Sequence, residues 1–182
     1  MPVQTKLIVD GKNKLFDKTG MQYKEFPSDF RQIRYFTLVI IQSAPPEIKE
    51  INLLEQQISE IIKNAVKHGN KKDKTKKVKV WFSFSKTRAR LIVEDEGEGF
   101  KDLEKWNEFN KKRVKCFKEQ DFENLANFVA YTTKDSDETD GGNALFAALE
   151  YWDGGLFYND KKNSIAVLKK YQQPRIGISI NK

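Results

Sequence analysis

The sequence predicts an α/β protein, a two-layer sandwich in which a mixed, mostly antiparallel sheet carries helices on one face. Three observations lead there. Val78–Phe84 and Arg88–Glu94 are strand-like segments, the first strictly alternating, joined only by Ser85–Thr87, a hairpin spacing. Segments 28–42, 47–67 and 144–152 carry apolar residues at helical spacing. Gly155–Tyr158 and Ser164–Tyr171 repeat the hairpin pattern near the end of the chain. Helices and antiparallel strands in one chain of this length pack as sheet and helix layers around one core.

The elements follow in order. Residues 5–26 read as short strands broken by turn signals at Asp10-Gly11 and Thr19-Gly20. Ser28 is the expected cap of a helix that runs to about Gln42, with Phe30, Ile33, Phe36, Val39 and Ile40 at core spacing. Pro45-Pro46 breaks the chain. A second helix is expected from about Glu47 to Lys67, stopped by Gly69. Residues 101–140 are polar and poorly patterned, apart from a helix near Phe122–Tyr131, and Ile176–Ile180 reads as a last short strand.

Composition narrows the function classes. Hydrophobic residues at 38% suffice for a core, and 32% charged residues give a heavily solvated surface, so the chain is neither disordered nor a membrane protein in composition. The longest apolar stretch, Tyr35–Ile41, is far short of a bilayer span. Met1–Asp10 lacks a signal-peptide layout and Cys116 is the only cysteine, which together predict a cytoplasmic protein without an intrachain disulfide. The net charge of +7 leans on the Lys71–Lys77 run, five lysines in seven residues, which reads as a solvated loop between helix and strand.

Three constellations carry chemistry. On the second helix, Glu60 and Asn64 stand four apart, and His68 continues their row. This row lies about 120° round from the stripe of Leu54, Ile58, Ile61, Ile62 and Ala65. An Asn oxygen can complete a Mg²⁺ shell built mostly of phosphate and water, and a Glu one turn earlier can orient or deprotonate an attacking hydroxyl. Lys67 or His68 can meet phosphate at the helix end. The ordinary alternative is a solvated helix face. Next, Leu91–Phe100 is a buried strand running into an acidic loop spaced by Gly97 and Gly99, where Asp95 can accept a hydrogen bond from an exocyclic amine such as that of adenine. The loop is not a P-loop, a dinucleotide fingerprint or an EF-hand. Last, Gly141, Gly142 and Asn143 feed a helix that opens with Ala144 and Leu145, and helix N-termini favour phosphate.

The order and spacing of the three pieces carry a resemblance. E-x-x-x-N-A-x-x-H-G on a helix, a hairpin, D-x-G-x-G-F, a polar segment and then G-G-x-x-L-F resembles the gyrase, heat-shock-chaperone and histidine-kinase ATPase superfamily. Within it the chain looks most like the bacterial anti-sigma-factor serine kinases of the RsbW and SpoIIAB type. The resemblance covers roughly residues 22–171. It implies a histidine-kinase-like ATPase sandwich with a lid at about 101–140, flanked by an extension or extra hairpin at 1–21 and a C-terminal extension at 172–182. It implies ATP and Mg²⁺ as ligands. Glu60 matches the family's general base, Asn64 its Mg²⁺ ligand and Asp95 its adenine-binding aspartate. Gly97, Gly99 and Phe100 shape the pocket, and Gly141, Gly142, Asn143, Ala144 and Leu145 match the phosphate-side loop. Ser164, opening the final core strand, matches a family threonine near adenine. Two departures stand out. Ala144 replaces the family's usual glycine, and the segment between the last two boxes is long.

What the resemblance implies is an ATP-dependent protein-serine kinase that switches a regulatory partner, an anti-anti-sigma-like substrate or a sigma factor, in the cytoplasm. Arg113 and Lys134 are the candidate lid cations for phosphate. The resembled kinases often form homodimers. Two other readings stay open here. One is a non-catalytic, nucleotide-gated protein-binding module, motivated by Ala144 and the unusual lid. The other is a basic nucleic-acid-binding domain, which net charge and 13 phenylalanines permit but for which no recognised motif is present. No specific nucleic acid and no membrane are expected as partners.

Overall fold

The computed structural model describes residues 3–128 and 144–172. Fifteen short elements build it. Strand β1 (Ile8–Val9) and a 3₁₀ turn (Lys14–Phe16) precede β2 (Gln22–Pro27). A second 3₁₀ turn (Phe30–Gln32) leads into α1 (Ile33–Ile41), and α2 (Ile51–Asn64) continues without a break into a π-helical turn (Ala65–Gly69). The hairpin β3 (Lys77–Phe84) and β4 (Arg88–Glu94) follows. Then come α3 (Leu103–Lys118), α4 (Phe122–Leu125) with a 3₁₀ turn (Ala126–Phe128), α5 (Ala144–Tyr151), β5 (Gly155–Tyr158) and β6 (Ser164–Lys170).

The six strands form one sheet in the order β1-β5-β6-β4-β3-β2. Every neighbouring pair is antiparallel except β1 with β5. The alternation in β3 sets which face is apolar, because successive side chains of a strand point to opposite sides. Val78, Val80 and Phe82 are buried, while Lys77, Lys79 and Trp81 between them are half-exposed. Register then carries the pattern across the sheet. Val80 lies beside Val93, which lies beside Ile165, which lies beside Tyr158. Phe82, Leu91, Val167 and Leu156 form the next row.

Onto that face pack the helices. In α2 the buried Leu54, Ile58, Ile61 and Ile62 repeat at three and four residues, so one stripe faces the sheet. Ile33, Phe36 and Ile40 of α1, Leu103 and Trp106 of α3, and Phe146 and Leu149 of α5 join the same apolar cluster. The opposite face is covered by the N-terminal arm, where Leu15 closes a smaller cluster with Ile92, Ala166 and Leu168. Ile92 is thus buried from the second side, which explains why β4 reads as a nearly continuous apolar run at Leu91–Val93.

Side-chain amides bolt the arm down by imitating backbone pairing. Gln4 donates to the Leu156 carbonyl at 2.7 Å and accepts the Leu156 N–H at 3.2 Å. Asn107 of α3 does the same to Leu7, at 2.9 and 2.7 Å. The arm therefore ties α3 to the β5 edge.

The fold is the expected α/β sandwich with its mixed, mostly antiparallel sheet and its α-helices on one face. Several local readings need correction. Ser28 does not cap the first helix, because its hydroxyl donates inward to the Lys76 carbonyl at 2.9 Å. Asp29 caps the 3₁₀ turn that leads into it, accepting the Arg31 N–H at 3.1 Å, while α1 itself, with Gln32 at its N-cap, has no side-chain cap. The second helix starts at Ile51 rather than Glu47, because Glu50 takes a left-handed conformation, φ 58°. The polar segment after Phe100 holds a sixteen-residue helix, α3, whose inward face is Leu103, Trp106, Asn110 and Cys116. Asn110 on that face breaks the apolar pattern and hid the helix. The strand expected at Ile176–Ile180 lies outside the described residues.

Because Leu15 is 6% exposed and closes the second cluster, truncating it leaves a cavity. Leu15→Ala is expected to lower unfolding stability by about 2–4 kcal/mol. Lys12→Ala, on the exposed turn before it, is expected to stay within about 0.5 kcal/mol. Urea denaturation measures both, and equal small losses would show that the arm contributes no packing.

Candidate functional site

The end of α2, the loop after β4, the start of α5 and the β5–β6 turn enclose a cavity of about 490 Å³. That is the size range of small-molecule sites. Its centre is the approach of two chain segments. After Asn64 the helix widens into a π turn, closed by the Asn70 N–H donating to the Ala65 carbonyl at 2.8 Å. Such turns are rare and concentrate at functional positions. The turn ends on Gly69, and against it lies Asp95 at the end of β4. A Cβ on Gly69 would stand 2.3 Å from the Asp95 carboxylate, and one on Gly97 would stand 2.2 Å from the Gly69 carbonyl oxygen. Only residues without side chains fit there.

Asp95 is held from both sides. Its N–H donates to the Asn163 carbonyl at 2.9 Å, and the Asn163 amide donates back to the Asp95 carbonyl at 3.0 Å. Its Oδ1 accepts the Gly97 N–H at 2.8 Å, folding the loop around the carboxylate. Burial pushes the Asp95 carboxyl up to about 6, opposed by the Gly97 N–H and by Lys76, and helped by neighbouring Glu94. The loop then docks on the β5–β6 turn. Gly99, at φ 93°, passes so close to the Lys161 carbonyl that a Cβ there would stand 2.1 Å from its oxygen, and the Phe100 N–H donates to the Lys162 carbonyl at 2.9 Å.

The structure brings most of the sequence-derived candidates to this cavity. Glu60, Asn64, His68, Asp95, Gly97, Gly99, Phe100, Ala144, Leu145 and Ser164 line it. Lys67 is buried, 8% exposed, and is not among the lining residues. Gly141, Gly142, Asn143 and Lys134 lie outside the described residues. Arg113 stacks on Phe146, 4.3 Å from the ring centroid, and is likewise not in the lining. Glu60 sits 3.8 Å from Lys63, a partly exposed pair of little energetic weight.

Several lining residues escaped the sequence reading, Trp106 and Asn163 among them. Trp106, 1% exposed, gives the cavity an apolar wall and is backed by Phe146, ring centroids 5.0 Å apart. Its signal was the i, i+3 spacing from Leu103. Asn163 had no signal beyond lying in a turn-rich stretch. Charge in the cavity is balanced among the described residues. Lys63, Lys71, Lys76, Lys101 and Lys162 face Glu60, Asp95, Glu96, Glu98 and Asp102. The net charge of +7 is therefore not focused here, and an anionic ligand must be selected by local donors. Part of the basic run is spent on structure, with Lys74 3.8 Å from Asp29 and Lys72 over the Phe30 ring.

No group of three or more His, Cys, Asp or Glu side chains among the described residues is placed to hold a metal ion. No helix among them is long and apolar enough to cross a membrane. The family model for the histidine kinase-like ATPase domain matches residues 26–153, more than half of the chain. No curated protein matches it.

The position of Asp95 has a measurable consequence for pH. Its folded value of about 6 stands above the ordinary 3.8, so ionising it opposes folding. That penalty is absent below the ordinary value, grows as pH rises between the two, and is complete above about 6. Asp95→Asn is therefore expected to be more stabilising, relative to the parent, at pH 7.5 than at pH 4. Carbon-detected NMR titration is expected to give an Asp95 midpoint near 6, and a midpoint near 4 would show that the carboxylate is solvated.

Proposed function

We propose, since this chain belongs to the histidine kinase-like ATPase domain family, that its cavity holds Mg·ATP and serves a protein-serine kinase that regulates a partner protein. Family membership gives a nucleotide-binding ATPase-type domain; the kinase activity and Mg²⁺ are the added steps. The finer assignment, an anti-sigma-factor-like switch in the bacterial cytoplasm acting on an anti-anti-sigma-like substrate or a sigma factor, rests on the sequence resemblance, as does a homodimeric state.

The residues present suit the ligand. The Asp95 carboxylate, once ionised, can accept from the exocyclic amine of adenine. Gly69, Gly97 and Gly99 keep the floor free of side chains, and Ser164 adds a hydroxyl on the adenine side. Asn64 offers one neutral oxygen, which suits Mg²⁺, an ion that keeps water and phosphate oxygens in its shell and does not need an all-protein cage. The start of α5 at Ala144 and Leu145 offers backbone N–H groups on the phosphate side. Bound Mg·ATP would supply the γ-phosphoryl group to an acceptor hydroxyl, with ADP as the leaving group.

One observation carries the kinase reading beyond nucleotide binding. Glu60 lines the cavity and also lines a shallow groove of about 410 Å³ on the outside of the helices, with Arg34, Asn52, Glu55, Gln56 and Ser59. A hydroxyl presented by a docked protein segment can reach this carboxylate from outside while the nucleotide occupies the inside. Glu60 then orients that hydroxyl and takes its proton. The groove, lined by the aliphatic stems and polar ends of these side chains, suits an extended segment that carries a serine. Ala144, whose methyl stands at the cavity wall, favours the second reading, a nucleotide-gated binding module without transfer.

Glu60→Gln separates the two. It keeps the shape of the cavity and removes the base, so transfer to the partner's serine is expected to fall by at least about a hundredfold, with ADP affinity within about threefold. Phosphorylation measured with labelled ATP and a candidate partner reads this out. Undiminished transfer in the variant would refute the assigned role of Glu60.

A further inference from the structure

Asn70 follows the π turn and does not line the cavity, yet it is completely buried, 0% exposed. Every polar atom of its side chain is engaged. Nδ2 donates to the Ser28 hydroxyl at 2.8 Å and to the Lys77 carbonyl at 3.0 Å. Oδ1 accepts the Glu96 N–H at 2.7 Å. Its backbone N–H closes the π turn on Ala65, and its carbonyl accepts the Asp73 N–H at 3.0 Å. One side chain thus joins the approach to α1, the start of β3 and the loop that carries Asp95. Glu96 returns the link, its carboxylate accepting the Lys77 N–H.

We propose that Asn70 is a positioning residue that sets base selectivity, by fixing the Asp95–Gly97 loop against the end of α2 through its bond to the Glu96 N–H. The inference rests on the adenine reading of Asp95. For Asp95, two backbone ties decide where the carboxylate stands. Its own N–H is tied to Asn163 on the β6 side, and the next N–H is tied to Asn70 on the helix side. The first tie places Asp95 relative to the sheet. The second places it relative to the helix that bears Glu60 and Asn64. A buried side chain with all donors and acceptors satisfied specifies one geometry, because any displacement leaves an unpaired polar group. Loss of the Glu96 tie would leave the loop attached to the sheet but free to drift from Gly69, and a hydrogen bond to the base is sensitive to such a shift.

The test compares ADP with inosine diphosphate, which lacks the exocyclic amine, by calorimetry at pH 8 on the full chain. Wild type is expected to prefer ADP by at least about tenfold. In Asn70→Ala that preference is expected to collapse to less than about threefold, mostly through weaker ADP binding. In Ser28→Ala, which removes a bond of the same buried network away from the loop, the preference is expected to persist even as thermal stability falls. Asn70→Asp keeps an acceptor for the Glu96 N–H and is expected to keep the preference too; it also serves if Asn70→Ala does not fold. An unchanged ADP preference in folded Asn70→Ala, or its loss in folded Asn70→Asp, would overturn the role of Asn70 while leaving the adenine site standing. A wild type that binds neither nucleotide, or both equally, would overturn both.

Discussion

A single close approach organises this molecule. The end of α2 and the end of β4 meet where Gly69 lies against the Asp95 carboxylate, at a distance that no side chain could occupy. Everything around the cavity follows from that contact. The π turn swings the helix end toward the strand, Gly97 folds beneath it, and Asn163 and Asn70 pin the loop from the two sides. The contact also sets the electrostatics, since a carboxylate pressed into this corner loses water and holds its proton more tightly. The fold thus keeps a polar group under strain of desolvation, a common arrangement at binding sites.

What makes such a site affordable is the rest of the sheet. The inner rows from Val80 and Phe82 across to Tyr158 and Leu156 give a continuous apolar floor for four helices. The N-terminal arm seals the other side through Leu15 and closes the β5 edge through β1. Desolvation of one carboxylate, of the order of a few kcal/mol, is small against a core of this size. The arm also reaches α3, so the wall that carries Trp106 is anchored at Leu7 by Asn107.

Much of this was legible in the residues. The two hairpins were readable because β3 alternates strictly and the other strands are short apolar runs bounded by turn residues, and the β4 and β5 boundaries agree with the sequence reading. The first two chemical clusters, Glu60 to His68 and Asp95 to Phe100, were readable because their polar residues and glycines stand at fixed spacings, and both line the cavity. Other parts were not. Nothing local distinguishes a π turn from an α-helix over Ala65–Gly69, since the difference depends on where the strand end sits. Ser28 looked like a cap, and tertiary contact with Lys76 and Asn70 overrode that preference. The helix α3 was hidden because its buried face includes Asn110 and its exposed face is dense in lysine. Asn70 gave no signal, and Asn163 none beyond its turn-rich setting, because their work is to bind backbone groups far away in sequence.

The central claim is that the corner formed by Gly69 and Asp95 belongs to an adenine-nucleotide site with a metal-assisted phosphate end. Calorimetric titration of the wild-type chain with ATP and ADP, with and without Mg²⁺, tests it most directly. The expected result is saturable one-to-one binding of both nucleotides that strengthens for ATP when Mg²⁺ is added. Absence of binding by a folded chain, even at millimolar nucleotide, would contradict the claim and leave the cavity as a feature of an interaction domain.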